Sequence, residues 1–226
     1  LDIADHSKYN VVEKNIFSYT PSPKNKSPYA GIQFAGQKCI IRHNIFYNCE
    51  GPPIDLTLYS GEAENNYGNR IYNNVFYQNE FGGISISGIL IYRFNNQAFK
   101  NNILYKNKFI QKDFRWEWYE ELHNQPVQII AGRAADFLFD HNNIFNTEMD
   151  ELYNIAYGDR FTSPNPLPQP LSWWESNHSS LFQNNLQQEP EFVDISAKDF
   201  HLRDLHFPVG PIHSGYAPIN DRAGNP

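Results

Sequence analysis

Only two of the 226 residues are cysteine, Cys39 and Cys49, ten positions apart. Two cysteines cannot build the framework of bridges that holds small disulfide-rich domains together, and both are read as free, buried thiols that leave the compartment open. Charge is sparse too: 19% of residues carry one, and the formal balance is −7. A chain this acidic lacks the basic face that a phosphate backbone requires, which sets nucleic acid aside as a partner. No apolar run reaches the ~18 residues that cross a bilayer, so no membrane insertion is expected. The opening LDIADHSKYN has neither the basic nor the apolar stretch of a signal peptide. Outside DFRWEWYEEL, which could form a short amphipathic helix, helical periodicity is missing as well.

What the chain does have is aromatic residues, 15% of the total, much asparagine, and a repeat. A unit of asparagine followed by mostly apolar residues occurs at Asn15-Ile16-Phe17, Asn44-Ile45-Phe46, Asn74-Val75-Phe76, Asn102-Ile103-Leu104 and Asn143-Ile144-Phe145, with a weaker copy at Asn185-Leu186. The intervals are 29, 30, 28, 41 and 42 residues, a constant unit with insertions in the later copies. A second element alternates apolar and polar residues before each copy: GIQFAG from 31, PIDLTL from 53, GISISG from 83 and PVQIIAG from 126. Alternation of this kind marks a strand with one buried face.

Units of about 30 residues with three short strands and no helix stack as a right-handed parallel β-helix of six to seven coils. The fold class expected is all-β, in one domain over 1–226, with 190–226 as terminal coil and tail. Asparagine tolerates the left-handed backbone of a tight corner, and in register its amides can bond along the axis. The residues after each Asn, together with Ile41, Ile71, Phe99 and Phe182 before it, are expected in the core. Phe139 lies four before Asn143, where the other coils have three, which predicts a bulge in the fifth coil. Tyr47, Tyr77 and Tyr105 are expected as an outward stacked column.

The closing passage Pro190, Phe192, Val193, Asp194, then Asp199, Phe200, His201, Leu202, resembles the last coil of the secreted right-handed β-helix proteins related to pectate lyases. It departs from their pattern at Gly210-Pro211-Ile212-His213-Ser214-Gly215. The resemblance implies secretion or a bacterial-type cell surface, and a polysaccharide partner. The activity signatures of the pectate lyases, polygalacturonases and alginate epimerases are missing from this segment. An open β-helix exposes its core and a strand edge, so preceding coils or end-to-end packing with another chain are expected.

Long loops at 18–30, 59–68, 106–125 and 158–179 would wall a groove over the outer face of the first-strand sheet. Its floor reads Asp2, Gln33, Asp55, Ser85 and Gln128; its walls carry Trp116, Trp118, Tyr119, Trp173 and Trp174. A polar floor between aromatic walls suits a polysaccharide, because rings stack on sugar faces while amides and carboxylates take the hydroxyls. A lyase further needs a base and a positive group beside the uronate carboxylate. The candidates are His123 and Tyr119 for proton transfer, Arg133 as anion stabiliser, and Asp55 with Glu62 or Glu64 as Ca²⁺ ligands. Asp2 and Asp55, two coils apart, are the only carboxylate pair on that floor that a hydrolase could use. His43 and His141 lie near the Asn turn and read as surface residues. The competing expectation is a structural or adhesive β-helix with no catalytic activity.

Overall fold

The computed structural model describes residues 1–4, 6–19, 30–56, 67–80, 84–86, 96–108, 129–131, 137–146, 155–157 and 170–203. Short strands alternate with tight corners, and each strand pairs in parallel with its copy in the neighbouring coils. The first-strand sheet is β1 (Asp2–Ile3), β4 (Ile32–Phe34), β7 (Ile54–Leu56), β10 (Ile84–Ile86), β13 (Ile129–Ala131) and β16 (Ile155–Tyr157). The second is β2 (Val11–Glu13), β5 (Ile40–Arg42), β8 (Arg70–Tyr72), β11 (Gln97–Lys100), β14 (Phe137–Asp140) and β17 (Phe182–Gln183). The third is β3 (Ile16–Ser18), β6 (Ile45–Tyr47), β9 (Val75–Tyr77), β12 (Ile103–Tyr105) and β15 (Asn143–Phe145). This is the parallel coil that the repeat predicts.

The core is made of like residues stacked on like. Val12, Ile41, Ile71, Phe99, Phe139 and Phe182 form one column along the axis. Phe17, Phe46 and Phe76 form another, their rings 4.8 and 4.9 Å apart and nearly coplanar in orientation. Adjacent strands sit about 4.8 Å apart, so a ring repeated in register meets its copy at stacking distance.

The Asn column stacks as well, with one shift of position. Asn15, Asn44, Asn74, Asn102, Asn142 and Asn185 are consecutive members, each backbone N–H donating to the Oδ1 of the next at 3.0 Å. The fifth member is therefore Asn142 and not Asn143. Phe139 keeps its three-residue spacing, and the expected bulge is not there. Asn143 instead pairs with Ile103 in the third-strand sheet. The left-handed residue of the corner is also not the ladder asparagine but the one before it: Lys14, His43, Asn73, Asn101, His141 and Asn184 have φ between 52° and 59°. The work is divided. One residue bends the chain and the next joins the coils.

The other two corners repeat this arrangement. Lys38 and Gly68 bend ahead of Cys39 and Asn69, and the Cys39 N–H donates to Asn69 Oδ1 at 2.9 Å. Asn48, Gln78 and Lys106 bend ahead of Cys49, Asn79 and Asn107, linked at 3.0 and 3.1 Å. Both cysteines thus occupy ladder slots as free, buried thiols. The Cys39 Sγ donates to the Gln37 carbonyl at 3.2 Å, as an asparagine amide would to a carbonyl in its own coil.

In the first five coils only the second residue after the ladder Asn, Phe17, Phe46, Phe76, Leu104 or Ile144, enters or packs on the main core. The first faces outward: Ile45, Val75 and Ile103 join Tyr77 and Tyr105 in a separate apolar cluster. The tyrosine column stacks as expected, Tyr77 on Tyr105 at 5.6 Å, but it is not a surface ladder. Phe192 and Phe200 cover it, from β18 (Phe192–Asp194) and β19 (Asp199–Leu202). These strands pair antiparallel with each other, so 190–203 is a hairpin laid on the side of the stack and not a terminal coil. Burial in this seam, and a 2.6 Å hydrogen bond to Glu189, push the Tyr105 hydroxyl well above its ordinary pKa.

On the same side Glu80 is pushed up, first by burial and then by Glu50 one coil below. A carboxyl whose folded pKa is raised favours the fold below its unfolded pKa and opposes it once ionised. Glu80→Gln is therefore expected to raise Tm by about 1–2 °C at pH 7, the small size reflecting solvent screening, and to leave it unchanged below about pH 4. Thermal melts at the two pH values check this.

The last coil is closed by α1 (Leu171–Asn177). Trp174 lies on Phe182, the final ring of its column, at 5.3 Å. The neighbouring Glu175 carboxylate accepts from the backbone N–H of Asn185 at 2.9 Å and from its amide at 3.2 Å. That is the position a seventh ladder oxygen would take. Two adjacent residues of one helix close the apolar column and the polar one.

Candidate functional site

The floor column of the first-strand sheet is in register: Asp2 pairs with Gln33, Gln33 with Asp55, and Asp55 with Ser85. Alternation explains its direction. Ile32, Phe34, Ile54 and Leu56 are fully buried, while Gln33 and Asp55 between them are half-buried and Asp2 is exposed. Beyond Ser85 the column departs from expectation. Ser85 pairs with Ile130, and Ile130 with Ala156, so the register continues through Ile130 and Ala156.

The walls are less complete. Trp116, Trp118, Tyr119, His123, Gln128, Arg133, Glu62 and Glu64 lie outside the described residues. Trp174 is 2% exposed and belongs to the core cluster, so it cannot stack on a sugar where it stands. The reason is the helix: α1 turns Leu171 and Trp174 inward and leaves Trp173 38% exposed at the rim of the cap. α1 packs against β17 of the second-strand sheet and so sits at the end of the stack, away from the floor.

A second outward column was missed. On the second-strand sheet, Glu13, Arg42, Tyr72, Lys100, Asp140 and Gln183 follow one another in register, each two residues before a ladder Asn. That spacing is its signal in the sequence, hidden because the six residue types differ. Arg42 Nε donates to Glu13 Oε2 at 2.6 Å, and its Nη1 to the Tyr72 hydroxyl at 3.0 Å. These hydrogen bonds, Tyr72 first, raise the Arg42 pKa further, and the one from Arg42 lowers that of Glu13. Lys100 Nζ lies 2.9 Å from Asp140 Oδ2. Burial alone would raise the Asp140 carboxyl, but the hydrogen bonds from Lys100 and Asn184 outweigh it and hold the pKa below the usual range. His141 Nδ1 sits 2.5 Å from the other Asp140 oxygen, and the His43 ring meets Tyr72 edge-on at 6.3 Å. Both histidines are half-buried corner residues rather than free surface ones.

Among the described residues no group of three or more His, Cys, Asp or Glu side chains could hold a metal. Asp55 by itself supplies at most two of the roughly six to eight oxygens that Ca²⁺ takes. No helix among the described residues is long and apolar enough to cross a membrane.

The family model described as "right handed beta helix region" matches residues 3–162. The chain belongs to the right-handed β-helix family. No curated protein and no solved structure matches it significantly. The match covers the first five ladder coils, through β16, and it carries the handedness of the stack. It names no substrate, and this fold hosts many activities, so the family fixes the scaffold and leaves the chemistry to the outer faces.

Proposed function

We propose that the protein is a secreted or cell-surface polysaccharide-binding β-helix, lyase-like in kind, that takes its polymer along the outer face of the first-strand sheet. The observation that supports this is the column Asp2, Gln33, Asp55 and Ser85, polar residues repeated in strict register along the axis. A polymer laid along the axis meets a polar residue in each of these successive coils. The rigid parallel sheet lowers the entropy cost of binding, because the groups are held before the sugar arrives.

The test is a panel of pectins, alginates, glycosaminoglycans and neutral glucans, with and without Ca²⁺, followed by unsaturated-uronate absorbance and by retardation in an affinity gel. Retardation by at least one polymer is expected, and the double variant Gln33→Ala/Asp55→Ala is expected to weaken it about tenfold or more. Absorbance growth would make the protein a lyase and direct mutation to His123, Tyr119 and Arg133. Retardation that Gln33→Ala/Asp55→Ala leaves unchanged would rule out the first-strand floor.

One observation favours a structural or adhesive β-helix instead. Leu1, Tyr9, Val11, Ile16 and Tyr19, all on the first coil, are between 52% and 67% exposed. Exposed apolar side chains of this kind suit contact with another protein surface. Silence on every polymer, with assembly that grows with protein concentration in light scattering, would establish that second reading.

A further inference from the structure

The chain contains Asn177-His178-Ser179, an asparagine two residues before a hydroxyl with no proline between them. That is the acceptor sequence of N-glycosylation in secreted proteins, and the polysaccharide floor does not use it. A second copy, Asn25-Lys26-Ser27, lies outside the described residues. The match is short, so its place in the fold decides what it can do.

Asn177 is the last residue of α1, and both it and Ser179 are exposed. His178 leaves the helix at φ −134° and ψ 48°, and the chain turns through Ser179 and Ser180. Acceptor and hydroxyl therefore stand where the chain reverses in water, the surface setting that a bulky glycan requires. The cap is made by the other side of the same helix. Leu171 and Trp174 are buried, while Ser172, Trp173, Ser176 and Asn177 are exposed. A group added at Asn177 meets solvent and displaces nothing from the core. Because α1 packs against β17 at the end of the stack, that group also stays clear of the first-strand floor.

The amide itself can be modified without losing its place. Asn177 Nδ2 donates to the Trp173 carbonyl at 2.8 Å, one turn back along the helix. In the modification Nδ2 bonds to C1 of the first sugar, and the bond from that carbon to the diphosphate of a lipid-linked oligosaccharide breaks. Nδ2 loses one of its two protons, and the secondary amide that results keeps one N–H, enough for the bond to Trp173. A ladder asparagine has no such latitude: Asn44 Nδ2 donates to Val12, Arg42 and Asn74 at once.

Trp173 is the second observation. Among the described residues it is the one large aromatic outside the first coil that is as much as 38% exposed. Its ring lies 5.5 Å from that of His178, the middle residue of the acceptor sequence, and positions 173 and 177 share a helix face. An indole beside the attachment point offers the first sugar an apolar surface to stack on. We propose that Asn177 is an N-glycosylation site whose first sugar lies against Trp173. The inference rests on the secreted or cell-surface reading above and adds a modification of the cap to it.

The experiment reads the mass of the full chain and of its Asn177 peptide, in protein from its own source and in protein secreted by eukaryotic cells behind a secretory leader. A mass increase at Asn177 that an N-glycan-releasing amidase removes is expected in both. Asn177→Gln and Ser179→Ala are expected to lose it, and Ser179→Thr to keep it; all three change exposed residues and should leave the melt unchanged within about 1–2 °C. Releasing the glycan is expected to raise acrylamide quenching of tryptophan emission, and to raise it less in Trp173→Phe. An unmodified Asn177 in the protein from its own source overturns the inference, as does an unmodified Asn177 secreted by cells that glycosylate a reporter protein. Quenching that release leaves unchanged overturns the contact with Trp173. The polysaccharide panel keeps the two proposals apart. Silence on every polymer with Asn177 occupied overturns the polysaccharide reading and keeps the site, and retardation with Asn177 unmodified does the reverse.

Discussion

Replacing Asn74 with alanine is expected to cost about 3–5 kcal/mol of folding stability, read as a fall in the denaturation midpoint in urea. Asn74 is 1% exposed, and its amide holds three coils together. Oδ1 accepts from both the backbone N–H and the side-chain amide of Asn44, each at 3.0 Å. Nδ2 donates to the carbonyl of Ile41 at 3.0 Å and to Oδ1 of Asn102 at 3.0 Å. Alanine would leave the buried Asn44 N–H without its acceptor, which costs about 1–3 kcal/mol, and would remove three further amide hydrogen bonds at about 1 kcal/mol each, while Asn102 Oδ1 keeps the backbone N–H of residue 74. The end of the ladder provides the comparison. Asn15 is exposed, its corner is open to water, and Asn15→Ala should cost about 1 kcal/mol or less. Equal losses at the two positions would show that the ladder contributes no more than any single hydrogen bond.

Trp174→Ala is expected to destabilise by about 3–4 kcal/mol, the range for truncating a buried large aromatic. Its indole covers Phe182, and behind Phe182 lie Phe139 and Phe99, stacked at 5.5 and 4.4 Å. Removing it opens the end of that column to solvent. Trp173→Ala, one residue away but 38% exposed, should change stability by less than about 0.5 kcal/mol. Polysaccharide retardation separates the roles further: Trp174→Ala should leave it intact at a temperature where the variant is folded. A stable Trp174→Ala protein that has lost retardation would return Trp174 to the sugar-binding wall.

Both predictions rest on features that sequence alone left half-seen. The repeat interval and the alternation of GIQFAG and PIDLTL were enough for parallel coils, because strand period and unit length admit few other solutions. The ladder was legible as a column of asparagines but not as a division of labour. His141-Asn142-Asn143 offers two candidates, and likeness to the other Asn-Ile-Phe units selects the wrong one. Hydrogen bonding decides it, since only Asn142 follows a left-handed residue and faces the amides of Asn102 and Asn185.

The cover over Tyr77 and Tyr105 could not be anticipated either. An outward position on a strand is exposed unless something lies on it, and what lies on it is 190–203, which resembles another coil by its motif. In the same way Trp173 and Trp174 are adjacent in the chain, and only the turn of α1 assigns one to solvent and the other to the core.

The chain's own residues thus settled what is local and periodic: a parallel β-helix, its coil length, its inward columns and the polar floor at Asp2, Gln33 and Asp55. These follow from alternation and spacing, which act over a few residues. Tertiary contact settled what depends on a distant segment arriving: the hairpin over the tyrosines, Trp174 and Glu175 as the end of two columns, and Arg42, Tyr72 and Lys100 as one surface. Residues 30 apart become neighbours about 4.8 Å apart only when the coils close, and side chains of different type share no pattern that would announce it.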